Sequence, residues 1–229
     1  MRPRRAVLAL GISGVLVAAV PAAAAEERCS LSVASKVVIS AEVVRSPVRL
    51  ADDCTANGAD HASWDLVRSG AVLGSLDFHS EDLAQGVTAG TMTWFDADPK
   101  GVYTSRAVGA ATGDGGALGQ NSPVTTVKYA SRLVTHITRA RTGVLTWRTT
   151  AQQWSGRAHG YVGRPRVRVG LFHRTSTTAP WRYVKSATTT SRGAATLTMT
   201  VPKRGHYRLA VGATPTIWSS YSRTVSGRS

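Results

Sequence analysis

From Ala195 to Val201 the chain alternates without a break. Ala195, Leu197, Met199 and Val201 fall on one side, and Thr196, Thr198 and Thr200 on the other. Only an extended strand puts every second residue on one face, so this run predicts a strand with one buried and one wet side. Pro202-Lys203-Arg204-Gly205 then reads as a turn. Tyr207, Leu209 and Val211 resume the buried alternation, with His206 and Arg208 facing out.

The same period extends through the second half of the chain. Seven strands are predicted there: Ser131–Thr138, Val144–Gln152, Arg166–His173, Trp181–Ala187, Ala194–Val201, Gly205–Val211 and Tyr221–Val225. Turn-forming segments separate them at the spacing of a sandwich or barrel, and no stretch sustains a helical period. The first half reads similarly. Strands are expected over Cys29–Val33, Lys36–Val44, Val48–Leu50, His61–Val67, Ala71–Phe78, Thr91–Phe95, Gly101–Val108 and Thr125–Tyr129. Pro47 is expected to interrupt the early strands, Thr55–Asp60 to turn around Asn57-Gly58, and His79–Gly90 to form a loop or at most a short helix.

Charge divides the chain in two. All 13 acidic residues lie between Glu26 and Asp114. Residues 26–125 hold 7 Lys or Arg against those 13, a net of −6, whereas 126–229 hold 18 and no Asp or Glu, a net of +18. A reversal this sharp marks two modules, with the boundary in the small-residue stretch Ala111–Ser122. The halves also echo each other. Asp98-Pro-Lys-Gly-Val-Tyr103 matches Pro202-Lys-Arg-Gly-His-Tyr207, and the two tyrosines stand 104 residues apart, one sandwich domain's length. A Tyr at the start of a penultimate strand suggests a tyrosine corner, whose hydroxyl bonds back to the turn.

The opening residues read as an export signal, over 1–25. Arg2, Arg4 and Arg5 precede the apolar run Ala6–Val20, which is short for a membrane span, and small residues lead to Glu26. The paired Arg4-Arg5 fits twin-arginine as well as general export. No second run is long enough to span a membrane, so a secreted, extracellular chain is expected, with association to the cell wall in view. In that oxidising setting Cys29 and Cys54, the only cysteines, are expected to form a structural disulfide. Closing a loop of about 25 residues, it would stabilise the fold by roughly 3 kcal/mol.

Ser131–Val225 resembles the bacterial immunoglobulin-like domains of secreted proteins from high-GC Gram-positive bacteria. The resemblance rests on Ser131-Arg132-Leu133, Trp154-Ser155-Gly156, Arg166-Val-Arg-Val169, Trp181-Arg-Tyr-Val184, Thr188–Gly193 and Gly205-His-Tyr-Arg208. It implies a spacer, stalk or adhesion module, with no shared catalytic residues. Residues 26–123 look like a companion domain placed ahead of it. The expected architecture is all-β: two tandem immunoglobulin-like β-sandwiches, acidic over 26–123 and basic over 124–229, after a cleaved signal peptide.

The basic half supplies the main functional candidates. Arg166, Arg168 and Arg208 are expected to point outward from neighbouring strands as an anion-binding surface, joined by Arg148 or Arg164. Arginine suits phosphate because its fork donates two parallel hydrogen bonds. Teichoic acids, phospholipid headgroups or extracellular nucleic acid, bound without sequence recognition, are the anionic partners considered. The competing reading is that arginine is spread over the surface by composition alone. Trp154, in the polar loop Gln152–Gly163 near Tyr161, is a candidate for stacking on a sugar. Against it, Trp64, Trp147 and Trp181 read as core, and Trp154 and Trp218 as caps of the sandwich ends.

Catalysis and metals find little support. The six histidines form no His-x-His or His-Glu-x-x-His, and the mature chain has no nucleophile elbow or phosphate-binding glycine loop. Asp52-Asp53, Asp96, Asp98 and Asp114 lack the spaced oxygen set of a calcium loop and read as turn residues. No enzyme activity, cofactor or metal is expected. The function expected is structural or adhesive, at the cell envelope or with an extracellular protein. Its alternative is a binding module for an anionic wall polymer or a polysaccharide. The opposite charges also permit head-to-tail self-association.

Overall fold

A computed structural model describes residues 28–200 and 205–227. The export signal, Val201 and the Pro202–Arg204 part of the expected turn lie outside the described residues. The first half contains β1 (Arg28–Cys29), β2 (Leu31–Val33), β3 (Lys36–Ile39), β4 (Val43–Leu50), α1 (Asp52–Ala56), β5 (Ala59–Arg68) and β6 (Ala71–Phe78). It continues with α2 (Ser80–Ala84), β7 (Ala89–Phe95), β8 (Gly101–Thr112), β9 (Gly119–Gln120) and β10 (Val124–Tyr129). The second half contains β11 (Ser131–Arg139), β12 (Val144–Ser155), β13 (Gly160–Gly163), β14 (Arg168–Arg174) and β15 (Arg182–Thr188). After these come β16 (Ala194–Thr200), β17 (Gly205–Val211), β18 (Ser220–Tyr221) and β19 (Val225–Gly227). The fold is all-β, with two single-turn helices.

Each half packs two sheets around its own core. In the first, β2-β4-β7 faces β3-β10-β8-β5-β6, with Leu50, Trp94, Trp64, Tyr103 and Val127 buried between them. In the second, β11-β12-β16 with β13 faces β15-β14-β17, which β18 and β19 extend. Leu145, Trp147, Leu197, Leu171 and Leu209 fill that core. In each half one strand (β6, β15) pairs with the strand before it rather than with the opposite sheet. Two facing sheets of short, mostly antiparallel strands, with β3 and β10 paired in parallel, make an immunoglobulin-like sandwich. The alternation in β16 and β17 meets this geometry directly, since Leu197, Tyr207 and Leu209 are buried while Thr196 and Thr198 are exposed. β10 joins the first half's larger sheet, pairing with β3 and β8, so that sheet runs past residue 123.

Some local expectations are corrected. Pro47 does not interrupt a strand; β4 runs through it, opposite Thr91 of β7. β2 pairs only as far as Val48, so β4 is an edge on that side at Pro47, where a missing N–H is tolerated. The run expected over Lys36–Val44 instead breaks between Ile39 and Val43, letting the chain cross from one sheet to the other. Thr55 and Ala56 belong to α1 rather than to a turn. That helix carries Cys54, which is bonded to Cys29 as expected, and the Asp53 carboxylate accepts both the Ser30 N–H (3.0 Å) and its hydroxyl (2.6 Å).

The echoed Gly-x-Tyr segments open equivalent strands, β8 and β17. The Tyr103 hydroxyl donates to the Pro99 carbonyl, closing a tyrosine corner. Its ring meets Trp94 edge-on at 5.0 Å, and the Tyr207 ring lies 6.1 Å from Trp147. Burial raises the hydroxyl pKa of Tyr103, Tyr207 and Tyr129 above 10.0. Above that pH the unfolded chain releases these protons while the folded chain keeps them, so stability falls as pH rises. Below it their contribution is complete. Burial lowers the Lys100 pKa from 10.5, which works in the opposite direction, but one lysine opposes three tyrosines. The urea midpoint is therefore expected to drop above about pH 10 and to drop less steeply in Tyr207→Phe. An unchanged alkaline slope in that variant would refute the assignment.

The two halves meet in a dense seam. Trp154, on β12, packs into the first half's core, and its indole donates to the buried Asp96 carboxylate at 3.3 Å. His159 Nδ1 lies 2.9 Å from the same carboxylate oxygen, and the Tyr129 hydroxyl donates to the Asp96 carbonyl at 2.9 Å. Across the seam the Trp218 indole donates to the Val37 carbonyl (2.9 Å), between Lys36 and Lys128. Gly156 lies against the Asp96 carbonyl so closely that a Cβ there would stand 2.6 Å from it. The seam is thus backbone against backbone, with side-chain hydrogen bonds filling its gaps.

Candidate functional site

Alternation along β14 and β17 sends Val169, Leu171, Tyr207 and Leu209 into the core, leaving Arg168, Gly170, Phe172, Arg208 and Ala210 for the outer face of the sheet. The register puts Phe172 opposite Arg208 and Gly170 opposite Ala210. Tyr183 of β15 and Tyr221 of β18 flank them, and Trp181 stands just ahead of β15. Together these residues line a groove of about 540 Å³, a volume typical of organic-ligand sites. Its floor is small-residue backbone, at Gly170, Ala210 and Gly212.

One wall is a stack of alternating cations and rings. The Arg174 guanidinium lies 4.6 Å from the Trp181 ring centre. The Arg208 guanidinium lies 4.2 Å from Trp181 and 4.3 Å from Tyr221. Each such contact is attractive, and together they restrict where these guanidinium groups can move. The buried Arg208 Nε has no hydrogen-bond partner. No Asp or Glu follows Asp114 in the sequence, so no carboxylate of the second half neutralises this wall. Arg168 is exposed at the other end, four residues from Phe172, roughly 13 Å along the strand.

Of the three arginines read from the sequence, Arg168 and Arg208 share this groove. Arg166 does not line it. It precedes β14 with a left-handed φ of 53°, so the strand expected from Arg166 begins two residues later. Arg148 lies on β12, in the opposite sheet, pairing with Thr196. Arg164 is buried, donates to Ser131 Oγ (3.1 Å) and the Gly212 carbonyl, and has its pKa lowered by that burial. It braces the sandwich and is closed to a ligand.

Trp154 is not open to stack on a sugar and instead caps the end of the sandwich, as the competing reading has it. Only 9 % of it is exposed, and both ring and N–H are engaged in the seam. It stands on a strand that continues to Ser155, not in a loop. Trp181, expected in the core, is instead the partly exposed centre of the cation–ring stack. The sequence signals for the groove were Gly170 inside an otherwise bulky strand, which marks close approach, and the aromatic spacing Trp181-x-Tyr183. The loop carboxylates have local partners. Asp98 accepts the Phe95 N–H (2.7 Å), and Asp114, exposed, has its pKa lowered by Thr112 and Gly116. Among the described residues no three His, Cys, Asp or Glu side chains gather as a metal-binding group.

No protein-family model matches the chain, and no curated protein does. Among solved structures, the D00-D0 domain of intimin is similar at 15% identity and a TM-score of 0.30, over 88% of this chain and 100% of that one. Trypsin-activated alpha-2-macroglobulin from Escherichia coli is similar at 14% identity and a TM-score of 0.28, over 81% of this chain. The match spans 14% of the macroglobulin's length. The chicken CNTN1 FN1-FN3 domains are similar at 9% identity and a TM-score of 0.30, covering 90% of this chain and 69% of that one. Among the described residues no helix is long and apolar enough to cross a membrane.

Proposed function

We propose that this is a secreted, non-enzymatic β-sandwich protein with an adhesive or structural role at the cell envelope, whose basic half holds an anionic extracellular polymer. The reading divides the chain into an acidic sandwich that runs through β10 to Tyr129, acting as a rigid base, and a basic sandwich from Ser131 onward, acting as the binding head. The observation that carries it is the outer sheet face with Arg168 and Arg208 and no opposing carboxylate. Fixed cations in a carboxylate-free half attract polyanions at long range and hold them by direct ion pairing, both weakened by salt. In a Gram-positive envelope, wall polymers of this charge would be the partners.

The test is retention of the purified chain on immobilised heparin and on isolated cell walls, at low and at high salt. Retention that falls steeply with salt, and falls further in the Arg168→Gln/Arg208→Gln double variant, is expected. Passage of the native chain through heparin at low salt would overturn the anionic-polymer reading.

A further inference from the structure

We propose that the groove on the outer face of β14 and β17 is a subsite for an acidic polysaccharide, gripping a uronate unit by its carboxylate and its ring together. The proposal rests on the anionic-polymer reading and narrows it to one class. Three features select that class.

First, the stacked Arg208 is preset for a planar anion. The Trp181 and Tyr221 rings lie 4.2 and 4.3 Å from its guanidinium, which lines the groove and whose Nε has no hydrogen-bond partner. A carboxylate accepts such a fork through two parallel hydrogen bonds, and little side-chain freedom remains to be lost. Second, the groove offers flat apolar surface beside that fork. Tyr183 and Tyr221 are 57% and 56% exposed, and Phe172 meets Tyr183 edge-on at 5.8 Å. The apolar face of a sugar ring can lie against these, whereas a polyol-phosphate chain has no flat face to present. Third, the floor lacks bulk. A Cβ on Gly170 would stand 2.9 Å from the Phe172 ring, so only glycine lets that ring lie down over the strand. The groove therefore stays shallow and open along its length, as a chain polymer requires and an enclosed small-molecule pocket does not. Arg168, at the far end, is placed for a second carboxylate further along the same chain.

The experiment titrates the full chain with sulfate-free oligouronates, with their neutral hexose counterparts, and with inorganic polyphosphate of matched charge, by calorimetry. Oligouronate binding is expected, weakened about tenfold or more in Trp181→Ala and in Arg208→Gln, as for a central aromatic or arginine anchor. Arg148→Gln, on the opposite sheet, is expected to bind as the native chain does. Should Trp181→Ala fail to fold, Arg168→Gln, at an exposed position, provides the readout through a several-fold loss. Equal affinity for polyphosphate and oligouronate would overturn the proposal, because charge alone would then suffice. So would oligouronate binding that survives both groove variants, or equal binding of the neutral sugar. Heparin retention without oligouronate binding would overturn this proposal and leave the anionic-polymer reading standing.

Discussion

Trp154→Ala is expected to destabilise the chain by about 3–5 kcal/mol, the cost of emptying a buried tryptophan site. The indole fills space in the first half's core although its backbone belongs to the second half. Removing it leaves a cavity at the seam and takes one donor from the buried Asp96 carboxylate, which His159 alone then contacts from the second half's side. Because the lost contacts join the halves, cooperativity should suffer with stability. Urea unfolding, expected as a single transition in the native chain, should separate into two in this variant. Trp154→Phe, which keeps most of the apolar volume and loses the Asp96 hydrogen bond, should cost less and keep one transition. A change within about 0.5 kcal/mol for Trp154→Ala, as at ordinary surface positions, would mean that Trp154 stands in solvent and that the seam is wrongly described.

The second large effect is expected at Gly205. Its φ of +152° is one that side-chain-bearing residues rarely adopt. A Cβ there would lie 2.3 Å from His173 Nε2 and 2.8 Å from the Arg174 carbonyl. Backbone strain of this kind costs about 1–3 kcal/mol, and the collision with β14 adds to it, so Gly205→Ala should lose about 3 kcal/mol or more. Gly101, its counterpart in the first half, has nearly the same φ, +149°, but a Cβ there meets only the Arg68 side chain, at 3.3 Å. The end of an arginine can move and a strand carbonyl cannot, so Gly101→Ala should show the strain term with little more. Denaturant midpoints of the two variants, compared side by side, check this ordering. Equal losses would show that the collision at Gly205 is relieved elsewhere.

What local pattern controls, the sequence displayed. The strict alternation of β16 and β17 named the buried faces of both sheets, because one inward residue in two leaves no other arrangement. The repeated Gly-x-Tyr located the same strand in each half, because the turn geometry and the tyrosine corner are local. The Cys29–Cys54 bond followed from there being only two cysteines. What depends on distant partners stayed hidden. Nothing around Trp154 announces that Asp96, 58 residues earlier in the chain, comes to meet it, so a polar Gly-rich neighbourhood reads as an exposed loop. Trp181 failed in the opposite sense. An aromatic opening a strand reads as core, yet Arg174 and Arg208 from two neighbouring strands satisfy it on the outside. Arg208 was legible because period two fixes its face. Its pairing with two rings was not, because that requires knowing that β14 lies between β15 and β17.

The Cys29–Cys54 bond has a mechanical consequence for a chain anchored at one end and loaded at the other. Tension arriving ahead of Cys29 crosses directly to Cys54 and bypasses the polypeptide between them. That slack loop contains all of β2, β3 and β4. β3 is where the second half is moored, through the Ile39 carbonyl to the Ala130 N–H and the Val37 carbonyl to the Trp218 indole. A pull from the amino-terminal side therefore does not run through β3 and cannot unzip these moorings from their own end.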